Sequence, residues 1–310
     1  MATIHFDDNE DLIDIRKDNV FKAVFTQETP ESQGALSQLV SAIIGQPLTV
    51  VAVAANEPAI DNVWDRQIRF DINCKADDGR RVDIEMTLSP DFFEPLRLEF
   101  YVGRLFTSQN IRGDDKDYGD LKEAYQIAFL DKRELFADKE FLHSFEYYDP
   151  KRKVSLGGKC RIITVELAKL EPIVAKAAKE MTAPEHWAVY FAFLADTSKR
   201  QKINEIIQLE GGINMASQML IRISRDEVER ARLESEYKYA VDLQSKVVHA
   251  KREGRQEGRR EGRQEGRQEG RQEGEQNKAI AVAKTLKDMG DPIDKIARAT
   301  GLSLNEIAGL

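Results

Sequence analysis

Residues 66–87, RQIRFDINCKADDGRRVDIEMT, alternate polar and apolar side chains in two runs joined by ADDGR. Period-two alternation around a Gly-containing break predicts a β-hairpin. One parity carries Phe70, Ile72, Cys74, Val82, Ile84 and Met86; the other carries Arg69, Asp71, Asn73, Asp83, Glu85 and Thr87. Matching the faces selects the register. A two-residue Asp78-Gly79 turn sets Asp71 against Met86 and mixes them. A three-residue loop, Asp77-Asp78-Gly79 with Gly79 left-handed, pairs Ala76 with Arg80, Ile72 with Ile84, Phe70 with Met86, and hence Asp71 with Glu85. The hydrophobic pattern thus predicts two opposed carboxylates, their Cβ atoms about 4.5–5.5 Å apart. Asn73 faces Asp83 one layer toward the turn, and Arg69 faces Thr87.

Elsewhere, DNVFKAVF and GALSQLVSAIIG show helical spacing, the second stopped by Gly45 and Pro47, and LTVVAVAA reads as a continuous, buried strand. DFFEPLRLEFYVGRLFTSQNI predicts an amphipathic helix that accepts Pro95 only in its first turn or two. YQIAFL, HSFEYY and RIITVEL predict three further strands. After Pro184 the pattern turns helical through EHWAVYFAFLAD, RQKINEIIQLE and INMASQMLIRI, then into a long helix from Arg225 with Ser224 and Glu227 as its expected capping box. Strands and helices segregate, so the expected fold is α/β, a mixed sheet flanked by helices over residues 1–170, followed by an all-α region over 171–250.

Residues 251–276 repeat every four residues as Gly-Arg-Gln-Glu. Like residues stand at i,i+4, and six glycines at roughly 1 kcal/mol each oppose a helix, so a spacer is expected, helical or flexible. Seven glutamates offset eight lysines and arginines there, which argues against an arginine-rich nucleic-acid segment. The tail, 277–310, predicts short helices. IARATGLSLNEI has the turn Gly301 and the Ser303–Glu306 capping box of a helix-turn-helix, but two turns make a short recognition helix, and packing or oligomerisation is the expected role.

Composition narrows the chemistry. With 41% hydrophobic residues among 310, the chain can bury a sizeable core, and no apolar run reaches the roughly 18 residues of a membrane span. The start, MATIHFDDNEDLID, has no secretory-signal pattern. Cys74 and Cys160 form neither a disulfide framework nor a zinc motif, so a cytoplasmic setting is expected. A net charge of −8 confines any nucleic-acid binding to a local cluster. Four separated histidines argue against a histidine metal site, which leaves carboxylates as the ligands of any metal. Opposed Asp71 and Glu85 suit a shared hard cation; a solvated hairpin face countered by Arg69, Arg80 and Arg81 gives the same pattern.

The order DNVFKAVF, a strand with Asp, a hairpin into D-I-E-M and an R-L-E-F-Y helix resembles the PD-(D/E)XK nuclease-family transposases, also called recombination-promoting nucleases, over about residues 14–170. The Gly-rich repeat and short helical tail are similar to that group's C-terminal end. The resemblance implies an αβββαβ core that cleaves DNA with Mg²⁺, held by the strand Asp, the Glu of E-x-K/Q and the carbonyl of x. Here these are Asp71, Glu85 and Met86. In that scheme the ion polarises a phosphodiester and lowers the pKa of a bound water. Asp18 reads either as a further acid or as an N-cap.

The sequence departs from the pattern at Thr87, where the family has Lys or Gln. A hydroxyl brings no positive charge, and losing one such group costs about 10²- to 10³-fold in rate. Arg69 or Arg97 is the candidate substitute, while Lys22 and Gln109 match family positions loosely. Three functions stay open: a Mg²⁺-dependent DNA endonuclease, a catalytically weak relative that binds nucleic acid or protein, and a structural oligomer built on the 225–250 helix, with the C-terminal helices as a further route to a homo-oligomer.

Overall fold

The computed structural model describes residues 3–53, 70–111 and 116–310, so Arg69 lies outside the described residues. Six strands form one mixed sheet: β1 (Val50–Val53), β2 (Ile72–Ala76), β3 (Arg81–Thr87), β4 (Ala124–Leu130), β5 (Leu142–Phe145) and, after a small ribbon of β6 (Tyr148–Asp149) and β7 (Val154–Ser155), β8 (Cys160–Glu166). The order is β1-β2-β3-β4-β8-β5. The central strands β3, β4 and β8 are parallel, and the outer pairings are antiparallel.

The β2–β3 hairpin has the register its parity demands, with Ile72 opposite Ile84, Asn73 opposite Asp83 and Cys74 opposite Val82. Gly79 takes φ 91°, and its N–H donates to the Ala76 carbonyl (3.0 Å), closing the three-residue loop. Three local expectations are corrected. Phe70 does not pair with Met86: the chain bends at Asp71, and Phe70 packs on Val102, Leu105 and the ring of Tyr101. β1 is an edge strand with Val51 58% exposed, because β2 flanks it on one side only. HSFEYY is broken after Phe145, its second half joining the ribbon.

Both faces of the sheet are covered. Beneath one lie α1 (Asp18–Phe25) and α2 (Pro30–Ile44); over the other runs α3 (Glu94–Thr107), the crossover between parallel β3 and β4, with Pro95 in its first turn. Further helices follow: α4 (Glu171–Val174), α5 (Ala183–Phe193), α6 (Arg200–Leu209) and α7 (Gly211–Arg225). Helices α5 and α7 close the same core as α1 and α2, with Phe21, Phe25 and Phe129 all ringed against Phe191 at 4.9–6.2 Å. The change near residue 170 is therefore one of element type within a continuous core, and this compact unit extends through residues 1–238.

Helix α8 (Glu227–Asp288) begins at Asp226, whose carboxylate accepts the Val228 and Glu229 N–H groups; Ser224 still belongs to α7 and receives the Ile13 N–H. The capping box expected at Ser224 is thus replaced by an aspartate two residues on. The glycine repeat is helical throughout. Helix nucleation, the costly step, is needed once for a helix of any length, and propagation then carries through poor formers. Within the repeat Arg271 reaches Glu275 (3.0 Å), where Glu275 interrupts the run of like residues at i,i+4. In the second unit, residues 239–310, α9 (Ile293–Thr300) and α10 (Leu304–Ala308) fold onto the end of α8 through Ala283, Ile296 and Ile307. Gly301 is left-handed (φ 74°), and Ser303 and Glu306 form the expected capping box. Among the described residues, no helix is long and apolar enough to cross a membrane.

Candidate active site

Asp71 stands one step beyond the Ile72–Ile84 pair and therefore beside Glu85. Its N–H donates to Glu85 Oε1 (3.1 Å), and its Oδ2 accepts the Met86 N–H (3.1 Å). The N–H and C=O of a strand residue point to the same side, so the Met86 carbonyl is directed toward Asp71 as well. Asp71, Glu85 and Met86, proposed from the sequence, thus occupy one spot at the end of the hairpin.

Two cations enter it from opposite sides of the sheet. Lys22 of α1 bridges Asp18 (2.7 Å) and Asp71 (3.1 Å). Asp18 lies in the first helical turn and makes no cap bond, so its N-cap reading gives way to this ion pair at i,i+4. From α3, Arg97 reaches Glu85 Oε2 (3.3 Å), the Thr87 hydroxyl (2.9 Å) and Glu94 (2.6 Å). Glu94 was not singled out by the sequence; its i,i+3 spacing to Arg97 in the first turn was the available signal. Gln109 exchanges hydrogen bonds with the Lys122 backbone and lies outside the cluster.

The polar face is not solvated. Asp83 is 0% exposed, Glu85 2% and Asn73 9%. Four carboxyl groups (Asp18, Asp71, Glu85 and Glu94) share two cations, Lys22 and Arg97, and Asp83 adds a fifth acid that interacts with Glu85 and Asp71. The imbalance shows in the acidities. Burial first, and then the charge of Glu85, hold both Asp71 and Asp83 well above the ordinary carboxylate range. Burial also raises Glu85, with Arg97 opposing it. For Lys22 and Arg97 burial works against the charge, but the adjoining carboxylates outweigh it and raise both. Asp83 is hydrogen-bonded by the Gln126 amide (2.6 Å).

Among the described residues, no three His, Cys, Asp or Glu side chains converge into an enclosing metal cage. An all-protein cage is not what Mg²⁺ ordinarily uses: one or two carboxylates suffice, with water and substrate phosphate completing the shell. Asp71, Glu85 and the Met86 carbonyl could provide such a donor set, and the excess of carboxyl groups over cations would suit a divalent ion. The carboxylate oxygens now held by Lys22 and Arg97 are the ones such an ion would share.

A mixed sheet whose hairpin brings an Asp and a Glu together under a crossover helix is the PD-(D/E)XK nuclease architecture. The sequence pattern of the PD-(D/E)XK nuclease family transposases matches residues 15–250, and the chain belongs to that family. Searches of curated proteins and of solved structures gave no match.

Proposed function

We propose that the protein is a Mg²⁺-dependent DNA endonuclease whose active centre is Asp71, Glu85 and Met86. The supporting observation is the contact between half-buried Asp71 and buried Glu85, set among more carboxyl groups than cations. Asp71, Glu85 and the Met86 carbonyl would hold the ion. When bound, it supplies Lewis-acid polarisation of the phosphodiester and a water of lowered pKa. Arg97 provides what Thr87 lacks: its guanidinium rests on the Thr87 hydroxyl and beside Glu85, the place a lysine at 87 would serve, and presents donors to a phosphate oxygen. Lys22 steadies Asp71 as a carboxylate, and Asp18 acts through Lys22 rather than as a ligand.

The alternative is a binding-only relative, favoured by one observation: Lys22 and Arg97 are both already engaged by the protein's own acids. Nicking of supercoiled plasmid with Mg²⁺ decides between them. Cleavage lost in both Asp71→Ala and Glu85→Ala supports the site, and cleavage surviving both overturns it. The buried, free Cys74 and Cys160 accord with a reducing, cytoplasmic setting. Residues 239–310 are the segment we assign to self-association.

A further inference from the structure

The crossover helix α3 is apolar on two opposite faces. Its inner side chains, Leu98, Val102 and Leu105, are buried against the sheet, as a helix packed on one side requires. The outer row runs Phe93, Leu96, Phe100 and Gly103, at spacings of three and four residues. It is open: Phe93 is 62% exposed, Leu96 62% and Phe100 52%, and a Cβ placed on Gly103 would meet no atom within 4 Å. Phe92, 77% exposed and edge-to-face with Phe93, prolongs the row before the helix begins. Packing beneath the helix explains none of these positions. Phe92, Phe93, Leu96 and Phe100 together expose on the order of 400 Å² of apolar surface, the size at which a patch on a monomer marks an interaction site.

The row has the spacing of a coiled-coil seam. Phe93 and Phe100 stand at a positions and Leu96 and Gly103 at d positions, so two consecutive heptads are filled. The flanking charges decide what fits against it. Glu99 falls at g on one side of the seam and Arg104 at e on the other, and neither is ion-paired among the described residues. When two copies of such a helix lie parallel, each g residue faces the e residue five positions further along the partner, and 99 and 104 are five apart. Two acid–base pairs then form, one on each side of the two-fold axis. Antiparallel copies would set Arg97 and Arg104 against each other and Glu99 against the partner's Glu99, which is repulsive on both flanks.

We propose that α3 pairs in parallel with α3 of a second copy of this chain, through Phe93, Leu96, Phe100 and Gly103, with Glu99–Arg104 pairs on both flanks. The surface is separate from residues 239–310 and independent of the nuclease reading. Its apolar area is about half of the roughly 800 Å² per partner that a standard interface buries, so the pair belongs to the weak, reversible class.

The test reads α3 itself in the full-length protein. Gly103→Cys puts one thiol per chain next to the two-fold axis, where its Cβ meets nothing; wild type, whose Cys74 and Cys160 are buried, is the blank. Under mild oxidation with diamide, non-reducing gels should show a disulfide-linked dimer for Gly103→Cys and none for wild type. Adding Glu99→Arg should lower the initial rate of cross-linking about 5-fold, the effect of losing two exposed ion pairs, and adding Arg104→Glu to that variant should restore it. Adding Leu96→Glu to Gly103→Cys instead should abolish the cross-link. Circular-dichroism melts confirm that each variant is folded, which substitutions on an open helix face should leave unchanged. A folded Gly103→Cys protein that stays uncross-linked overturns the proposal and leaves the row to a different partner. Cross-linking that survives Leu96→Glu, or that ignores the charge swap, overturns it as well, since the thiols then meet without the seam.

Discussion

The two faces of the sheet are equally dry and chemically opposite. On the α1, α2, α5 and α7 side, Ile84, Met86, Ile127, Phe129 and Val165 sit in one aromatic-rich core. On the α3 side the same strands present Asp83, Glu85, Gln126 and Thr164, each almost fully buried. Solvation explains ordinary polar faces of sheets. It does not explain this one. Burying carboxylates raises their pKa and costs stability, and clusters of that kind concentrate at binding and catalytic sites.

This contrast yields mutations that should behave oppositely on the two faces. Glu85→Gln removes a proposed ligand while keeping size and burial, and should reduce plasmid nicking on the order of 10³-fold or more, as expected for loss of metal-centred stabilisation worth several kcal/mol. Its melting temperature should hold or rise. Phe129→Ala, directly across the sheet, should do the reverse: about 3–5 kcal/mol of stability lost in urea titrations, with the acid pair left in place. A Phe129 variant with full stability would deny that the apolar face carries the fold.

Arg97→Met should lower cleavage by about 10²- to 10³-fold, the typical cost of one charged donor at a developing charge. Adding Thr87→Lys to it should restore most of the loss, because the ammonium would return to the place the guanidinium leaves. No rescue would mean that Arg97 merely neutralises Glu94.

The pH dependence of Asp83 is a subtler probe. Its folded pKa is raised by burial and by Glu85, so its favourable contribution is complete below the unfolded aspartate value of about 3.9 and is lost as pH rises through the folded value. Asp83→Asn has no proton to lose. The variant should match wild type near pH 4 in chemical denaturation and become progressively more stable than it at higher pH. Asp18→Asn should have the smallest effect, within about 0.5 kcal/mol of wild-type stability, since the exposed Asp18–Lys22 pair leaves Lys22 still bound to Asp71.

The contrast between faces was only half legible in the sequence. Parity fixes which residues share a face, and the demand that apolar meet apolar fixes the hairpin loop and so brings Asp71 to Glu85; both follow from local pattern. Burial of the polar face does not, because alternation looks the same whether the polar side chains meet water or the Glu94–Arg97 turn of a crossover helix. Lys22 could be matched to a family position, but its bridge between Asp18 and Asp71 depends on where α1 lands. Ser224 failed as a cap for a related reason: α7 runs on through Arg225, so Asp226 is the residue left at the break. The glycine repeat left helix and flexible chain open, since propensity opposes a helix there and the cooperativity of one continuous helix overrides it.

The central claim is that the Asp71–Glu85 pair is built to hold a divalent cation. Thermal unfolding with Mg²⁺ titrated from zero tests it most directly. Wild type should gain stability with concentration, reaching about 2.7 kcal/mol once the free ion is 100-fold above its Kd, while Glu85→Gln stays flat. An equal gain in both proteins, or none in wild type, would contradict the claim.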